Sequence, residues 1–339
     1  MKPGKRVTLA DVAAHAGVDR SVISRVMNSD PGLNIRPETR ERVLASVKTL
    51  GYRPNAAART LRTRQSRTFG LFIPDYANPV YAEIIKGAEA AAAERECVLV
   101  TGSGRVAGSA QPYLDLLADG RVDGLLLAGG VKAPATLAAL RESRMPWLLL
   151  NWSMTDATRH IVLDDEGAAA MAVEHLVSLG HRRIAHLAGP DGSDTASRRA
   201  SGYRAAMRLH GAAPDPALAV RADYTADGGF HAMTELLGRT PRPTAVFVAN
   251  VASAIGALRA AYRCGVRVPS ELSIVAVHDL PLAEYLVPAL TTVRMPLEEL
   301  GRRGVEKLTT TDPDTPVAET VGGPMELVLR ESTAPPGVN

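Results

Sequence analysis

The sequence predicts an α/β protein: a small all-helical headpiece ahead of a two-lobed core of doubly wound parallel sheets. Three observations predict it. The first 52 residues carry helical spacing and helix caps. From Thr68 onward, short apolar runs alternate with amphipathic stretches, which is the signature of parallel strands joined by crossover helices. The stretch after Thr68 is also too long for one ordinary sheet, so two similar lobes with a cleft between them are expected.

In the headpiece, Thr8 stands three residues before Asp11, a capping-box spacing that opens a first helix with Val12, Ala13 and Ala16 on one face. Gly17 supplies a left-handed turn, where a residue without Cβ is least strained. Asp19 caps a second helix whose Val22, Ile23 and Val26 face inward. Arg20, Ser21, Ser24 and Arg25 are left facing outward, with Arg20 and Ser21 in the first turn. Two short helices joined in this way form a helix-turn-helix, whose second helix reaches base edges in the major groove. Pro37 starts a third helix, closed by Gly51, with Val43, Leu44, Val47 and Leu50 as its apolar stripe. Residues 53–68 are rich in Arg and Ala, with Leu61 as the one sizeable hydrophobe. A helix of about nine residues is too short to hold in water alone. It is expected to form against DNA, with Leu61 as a wedge between base steps.

Charge supports the same reading. Residues 1–67 hold 14 Lys and Arg against 5 Asp and Glu, whereas the remainder holds 25 against 31. A basic module on an acidic body is the electrostatic footprint of a nucleic-acid binder. Only Cys97 and Cys264 are present, read as buried thiols of a reducing cytoplasm. No signal peptide and no membrane-spanning apolar run are evident, so a cytoplasmic protein is expected.

In the core, TFGLFI, CVLVT, DGLLLA, PWLLLN, RRIAHLA, TAVFVAN and LSIVAV read as buried strands. Segments 79–95, 133–143, 167–179, 196–210, 226–238 and 252–264 read as helices. Ligands in such sheets bind beyond the carboxyl ends of the strands. An enzyme is not expected. Gly102, Gly104 and Gly108 follow a strand, but their spacing departs from the dinucleotide fingerprint. No phosphate-binding loop, HExxH or GxSxG motif occurs, and no metal or cofactor is expected. His175 and His181 read as packing residues.

VTLADVAAHAGV and SRVMN in the headpiece, and PNAAARTL after it, carry a resemblance that spans roughly residues 7–335. So do GLFIPDYANPVYAEI, HLVSLGHRRIAHLAGP, RRASGYRAAM, VFVAN, GVRVPSELSIVAVHD and LTTVRMPLEELG in the core. On these motifs the chain resembles the lac repressor/galactose repressor (LacI/GalR) family of bacterial transcription regulators. The resemblance implies a repressor that binds a pseudo-palindromic operator in double-stranded DNA as a homodimer. It also implies a core like a periplasmic sugar-binding protein, with a small effector, carbohydrate-like in the first instance, between its lobes. A solute-binding protein of the periplasmic type, or a regulator acting without an effector, is the alternative. The corresponding division is a headpiece over 1–52, a hinge over 53–67 and a core over 68–335. Lobe 1 would take about 68–163 and 294–322, and lobe 2 about 164–293 and 323–335.

Carried over by position, the resemblance makes Arg20 and Ser21 the main base-reading pair. Thr8, Val22, Ser24, Arg25 and Asn28 take further base and phosphate contacts, and Asn55, Ala58 and Leu61 the hinge contacts. Effector contacts fall on Asp75, Val80, Tyr81, Asn151, Trp152, Ser193, Thr195, Arg199, Tyr224, Asn250 and His278. Tyr81, Trp152 and Tyr224 would supply flat walls, and Arg199, Asn250, Asn151 and Asp75 directional hydrogen bonds. Asp19 stands where the family commonly has serine, Val22 where it has threonine, and Val251 and His278 where it has aspartates. His278 would therefore offer the effector a donor, with a charge that changes between about pH 5 and 8, facing an acceptor such as an acid or phosphate. The tail after Leu329 has no leucine heptads, so no tetramer-forming coiled coil is expected.

Overall fold

Capping chemistry sets the headpiece. The computed structural model describes residues 7–28, 30–52, 65–104, 115–116, 119–128, 138, 140–142, 145–154, 158–212 and 214–337. Helix α1 (Leu9–Ala16) opens on a complete Thr8–Asp11 capping box and ends at Gly17 with φ 62°. Helix α2 (Arg20–Met27) is capped by Asp19, whose carboxylate accepts from Ser21 N, and α3 (Pro37–Leu50) begins on its proline. Val12, Ala13, Ala16, Ile23, Val26 and Val43 form the buried centre of this unit. Leu44 lies outside it, 49% exposed. Ser46 takes the inward position instead, its hydroxyl bonded to Arg42 O and His15 Nδ1, a polar solution that apolar spacing does not reveal.

The chain splits into two compact units, Met1–Ser66 and Arg67–Asn339. The second contains two sheets. The elements of its first part are β1 (Thr68–Ile73), α4 (Val80–Glu94), β2 (Val98–Ser103), β3 (Gly124–Leu127), β4 (Trp147–Leu150) and β5 (Arg159–Val162). Then follow α5 (Asp165–Ser178), β6 (Ile184–Ala188), α6 (Asp194–Leu209), β7 (Ala219–Arg221), α7 (Ala226–Leu237), β8 (Ala245–Val248), α8 (Val251–Arg263), β9 (Ser273–Val277) and β10 (Thr291–Arg294). The chain then returns to the first sheet with α9 (Leu297–Thr310) and β11 (Val317–Thr320), and ends in the second with β12 (Glu326–Val328).

The first sheet runs β11-β5-β4-β3-β1-β2, all parallel; the second runs β12-β10-β9-β8-β6-β7, parallel except for β12. Each is a doubly wound order with its reversal point beside its first strand, β1 or β6. This is the fold class read from the sequence. Central strands β3, β4, β6, β8 and β9 are buried at every position, which is why they read as continuous apolar runs. Strand β2 differs from the expectation of a buried strand. It is an edge, and Val98 and Val100 are exposed on it. Cys264, expected to be buried, is exposed, while Cys97 is half-buried. Helices α4 and α9 pack backbone to backbone at Gly87 and Gly301, where an added Cβ would lie within 2.0 Å of Glu298 O or Ile84 O.

His181 and His186 are packing groups. His181 Nε2 donates to Ala334 O at 2.9 Å, pinning the C-terminal segment, and its Nδ1 meets the Thr244 hydroxyl at 2.9 Å. His186 is buried against the rings of Tyr203 and Phe247, which also face each other. Burial pushes its pKa down to about 3. The folded state therefore keeps His186 neutral, while the unfolded chain takes up a proton as pH falls below about 6.5. Stability from this group is full above that pH and is lost toward pH 3, at about 1.4 kcal/mol per pH unit. In denaturant titrations, His186→Phe should gain on the wild type by about 2 kcal/mol between pH 6.5 and pH 5. A difference that stays constant with pH would contradict this.

Candidate functional site

On the headpiece, Arg20 and Ser21 lie exposed in the first turn of α2. Asp19 keeps its carboxyl below the ordinary range through hydrogen bonds from the Ser21 hydroxyl and amide, so it holds the helix end as an anion. Arg25 is exposed but tied to Asp30 through Nε at 2.8 Å, which holds it beside the helix. Ser24 is half-buried, and Asn28 donates to its carbonyl at the helix end. Val22 is half-buried against the three-helix core. Thr8 is exposed, with its hydroxyl directed to Asp11 Oδ2 at 2.7 Å. Asn55, Ala58 and Leu61 lie outside the described residues.

In the core, the predicted cleft positions fall beyond the carboxyl ends of strands, around both reversal points. Asp75 follows β1, Ser193 and Thr195 follow β6, and Asn250 follows β8. Three others are held in left-handed backbone: Asn151 after β4 with φ 56°, Tyr224 after β7 with φ 66°, and His278 after β9 with φ 74°. Only Arg67 and Glu96 share that conformation among the described non-glycine residues, so strain concentrates at these strand ends. Strain of about 1–3 kcal/mol per residue persists where the surroundings enforce it, and it clusters at functional sites.

Arg199 is the centre of this region. It is buried on the second turn of α6, six residues beyond the Ser193 cap. Its Nε and Nη2 both lie 2.7 Å from Asp165 Oδ1. Nη1 donates to Ala249 O at 2.6 Å, and Nη2 lies 2.8 Å from His278 Nε2. Its guanidinium also sits 5.9 Å from the centre of the Tyr224 ring. Burial opposes its charge, but the Asp165 carboxylate outweighs that and raises its pKa above the ordinary value. Asp165, at the start of α5, also meets Arg198 Nη2 at 2.9 Å, and Arg198 reaches Asp194 at 3.0 Å.

An arginine has no acceptor, so His278 Nε2 must accept and the ring proton must reside on Nδ1. Burial, and then the adjacent Arg199 charge, push the His278 pKa well below the ordinary value. The sequence-based expectation of a charge change between about pH 5 and 8 is corrected accordingly. With Nε2 accepting from Arg199, His278 is held in its neutral form and donates through Nδ1.

A hydroxyl chain continues from here. Ser193 Oγ lies 2.9 Å from Thr195 Oγ1, which lies 3.2 Å from Tyr224 Oη. Asn250 caps α8 through Ser253 N and donates to Tyr224 O at 3.3 Å. The Tyr224 ring lies on Gly189, where any Cβ would come within 2.3 Å of it. From the first lobe, Tyr81 approaches closely enough that enclosure, Tyr224 and Asp75 raise its phenol pKa while Arg199 lowers it. Asn151 Oδ1 is buried without a donor. Asp75 accepts from Ala77 N at 3.0 Å. Val80 and Trp152 instead pack into the apolar clusters of the first lobe. Among the hydrogen bonds that join the lobes, Ser153 N donates to Asp194 Oδ2 at 2.9 Å and Arg198 Nη1 donates to Leu163 O at 2.9 Å. Asp165, Gly189, Asp194 and Arg198 were not singled out from the sequence. The acid pair Asp164–Asp165 directly after a strand was the available signal. Among the described residues no cluster could hold a metal ion, and no helix is long and apolar enough to cross a membrane.

Two family models match the chain: "Bacterial regulatory proteins, lacI family" over residues 8–55 and "Periplasmic binding protein-like domain" over residues 173–333. The ribose operon repressor of Escherichia coli (strain K12) is 34% identical over 306 residues, covering 89% of this chain and 92% of the relative. This chain belongs to the LacI family. Among solved LacI-family structures, the lac repressor dimer bound to operator and the anti-inducer ONPF aligns with a TM-score of 0.85 at 31% identity, covering 97% of this chain and all of that one. A complex of the transcriptional regulator CelR with cellobiose aligns at 0.71 with 34% identity, covering 96% of this chain and all of that one. LacI-family members are transcriptional regulators, and this chain is one of them.

Proposed function

We propose that this chain is a cytoplasmic, non-enzymatic repressor. In this reading a homodimer binds a pseudo-palindromic operator, and a carbohydrate-like effector in the interlobe cleft sets operator affinity. The headpiece over 1–52, the hinge over 53–67 and the core over 68–335 then have separate tasks. Arg20 and Ser21 read bases. Ser24, Arg25, Asn28, Thr8 and Val22 lie along the duplex, and Asn55, Ala58 and Leu61 enter the minor groove. The observation that carries the effector half is the buried Arg199–Asp165–His278 network at strained strand ends, with Tyr81 of the opposite lobe beside it. CelR in complex with cellobiose and the ribose operon repressor make a sugar the first ligand to try. The exposed Val98 and Val100 of edge strand β2 offer an apolar surface for the second protomer.

A thermal-shift screen of the full chain with sugars, sugar phosphates, nucleosides and purines tests the effector half. A ligand that raises Tm should also change operator affinity, and a set that leaves both unchanged would count against it. The hinge has its own test. Leu61→Ala should leave a folded dimer that loses most specific affinity, while weak salt-sensitive binding through the arginines persists. Unchanged operator affinity in that variant would rule out the wedge.

A further inference from the structure

On the effector reading above, the charges and hydrogen bonds of the cleft narrow its ligand further. Arg199 is the cation that would greet an anionic ligand, yet Asp165 already lies 2.7 Å from it. Arg198 is likewise matched by Asp165 and Asp194. Asp75, near Tyr81, adds a further carboxylate. An acid or phosphate brought here would therefore meet no uncompensated cation in a water-poor setting, where an unmatched charge is costly. An uncharged ligand meets no such penalty.

Of the buried polar atoms without a hydrogen-bond partner among the described residues, two lie at strand ends in left-handed backbone, and they are of opposite sense. His278 Nδ1 carries a proton with no acceptor, and Asn151 Oδ1 has no donor. They stand on different lobes, each directly beyond the end of a parallel strand and each in left-handed backbone. A buried donor or acceptor left unpaired costs about 1–3 kcal/mol, so a ligand that pairs both is favoured by that margin at each. Hydroxyl groups donate and accept, whereas a carboxylate or a fully ionised phosphate only accepts and leaves Asn151 unsatisfied.

We infer that the effector is uncharged and hydroxyl-bearing, with one oxygen accepting from His278 Nδ1 and another hydroxyl donating to Asn151 Oδ1. His278 is then the specificity-determining donor of this site. It selects an acceptor oxygen, while Asp165 selects against negative charge.

The test is calorimetry on the full-length protein with neutral mono- and disaccharides, each beside its phosphate or uronic-acid counterpart. At least one neutral sugar should bind, with its charged counterpart at least about tenfold weaker. His278→Asn keeps an N–H near the Nδ1 position and should stay within about threefold of the wild type. His278→Gln moves the amide toward the Nε2 position and should lose at least about tenfold. Should His278→Gln melt without a folded baseline, the matched sugar pairs on the wild type and the His278→Asn variant decide the matter. Tighter binding of a charged counterpart, equal affinity of the Gln and wild-type proteins, or no binding across the panel would overturn the inference. Binding is read without DNA. A sugar that binds as described but leaves operator affinity unchanged would fault the regulatory reading and leave this one standing.

Discussion

Arg199→Met should destabilise the core by about 3–5 kcal/mol in equilibrium denaturation, because it strips the partner from a buried carboxylate. Asp165 has no solvent to fall back on, and it keeps only Arg198 at 2.9 Å. The same change leaves His278 Nε2 and Ala249 O without a donor. Pairing it with Asp165→Asn should return a large part of the loss, since a buried amide is cheaper than an unmatched charge. The interaction energy from this double-mutant cycle is the quantity to read. Additive losses would mean that the pair does not act as a unit. The Arg199→Met protein should also fail to bind the effector at concentrations that saturate the wild type.

The second large effect is expected on the headpiece. If Arg20 holds a guanine edge through two hydrogen bonds, Arg20→Ala removes about 1–3 kcal/mol of discrimination per half-site. A symmetric dimer engages two half-sites, so the loss on a palindrome is about twice that. Binding to scrambled DNA of the same length should change far less, because phosphate contacts supply the sequence-independent part. Equal losses on operator and scrambled DNA would assign Arg20 to the phosphates instead.

Local chemistry was the legible part of this chain. The Thr8–Asp11 box, the Gly17 turn and the Asp19 cap involve neighbours in sequence, and all three stand in the structure as read. The central strands were legible because burial on both faces makes them continuous apolar runs. Strands RHIV, AVR, TTVR, VAET and ELV were not, because they are short, partly polar and at or near sheet edges. Strand β2 was legible as a strand but not as an edge, since order within a sheet is not written in any one segment.

The cleft shows the same division. Its positions follow from strand ends, but its chemistry depends on which charge meets which. Asp165 stands 34 positions from Arg199, and His278 stands 79 positions away. Spacing along the chain cannot say that one carboxylate neutralises the guanidinium, or that the guanidinium fixes which nitrogen of the imidazole keeps its proton. For that reason His278 reads as a titrating group in the sequence and is a neutral donor in the fold.

The most direct test of effector-controlled operator recognition is fluorescence anisotropy of the full-length chain on DNA at physiological salt. The DNA would be a pseudo-palindrome selected by the protein from random sequence, beside a scrambled duplex of equal length. Binding to the palindrome should be at least about 10³-fold tighter than to the scrambled duplex. The cleft ligand should shift palindrome affinity by about 5–150-fold, and the Arg199→Met protein should bind the palindrome without that shift. Equal affinity for the two duplexes, or a ligand response that survives loss of Arg199, would contradict effector-controlled recognition.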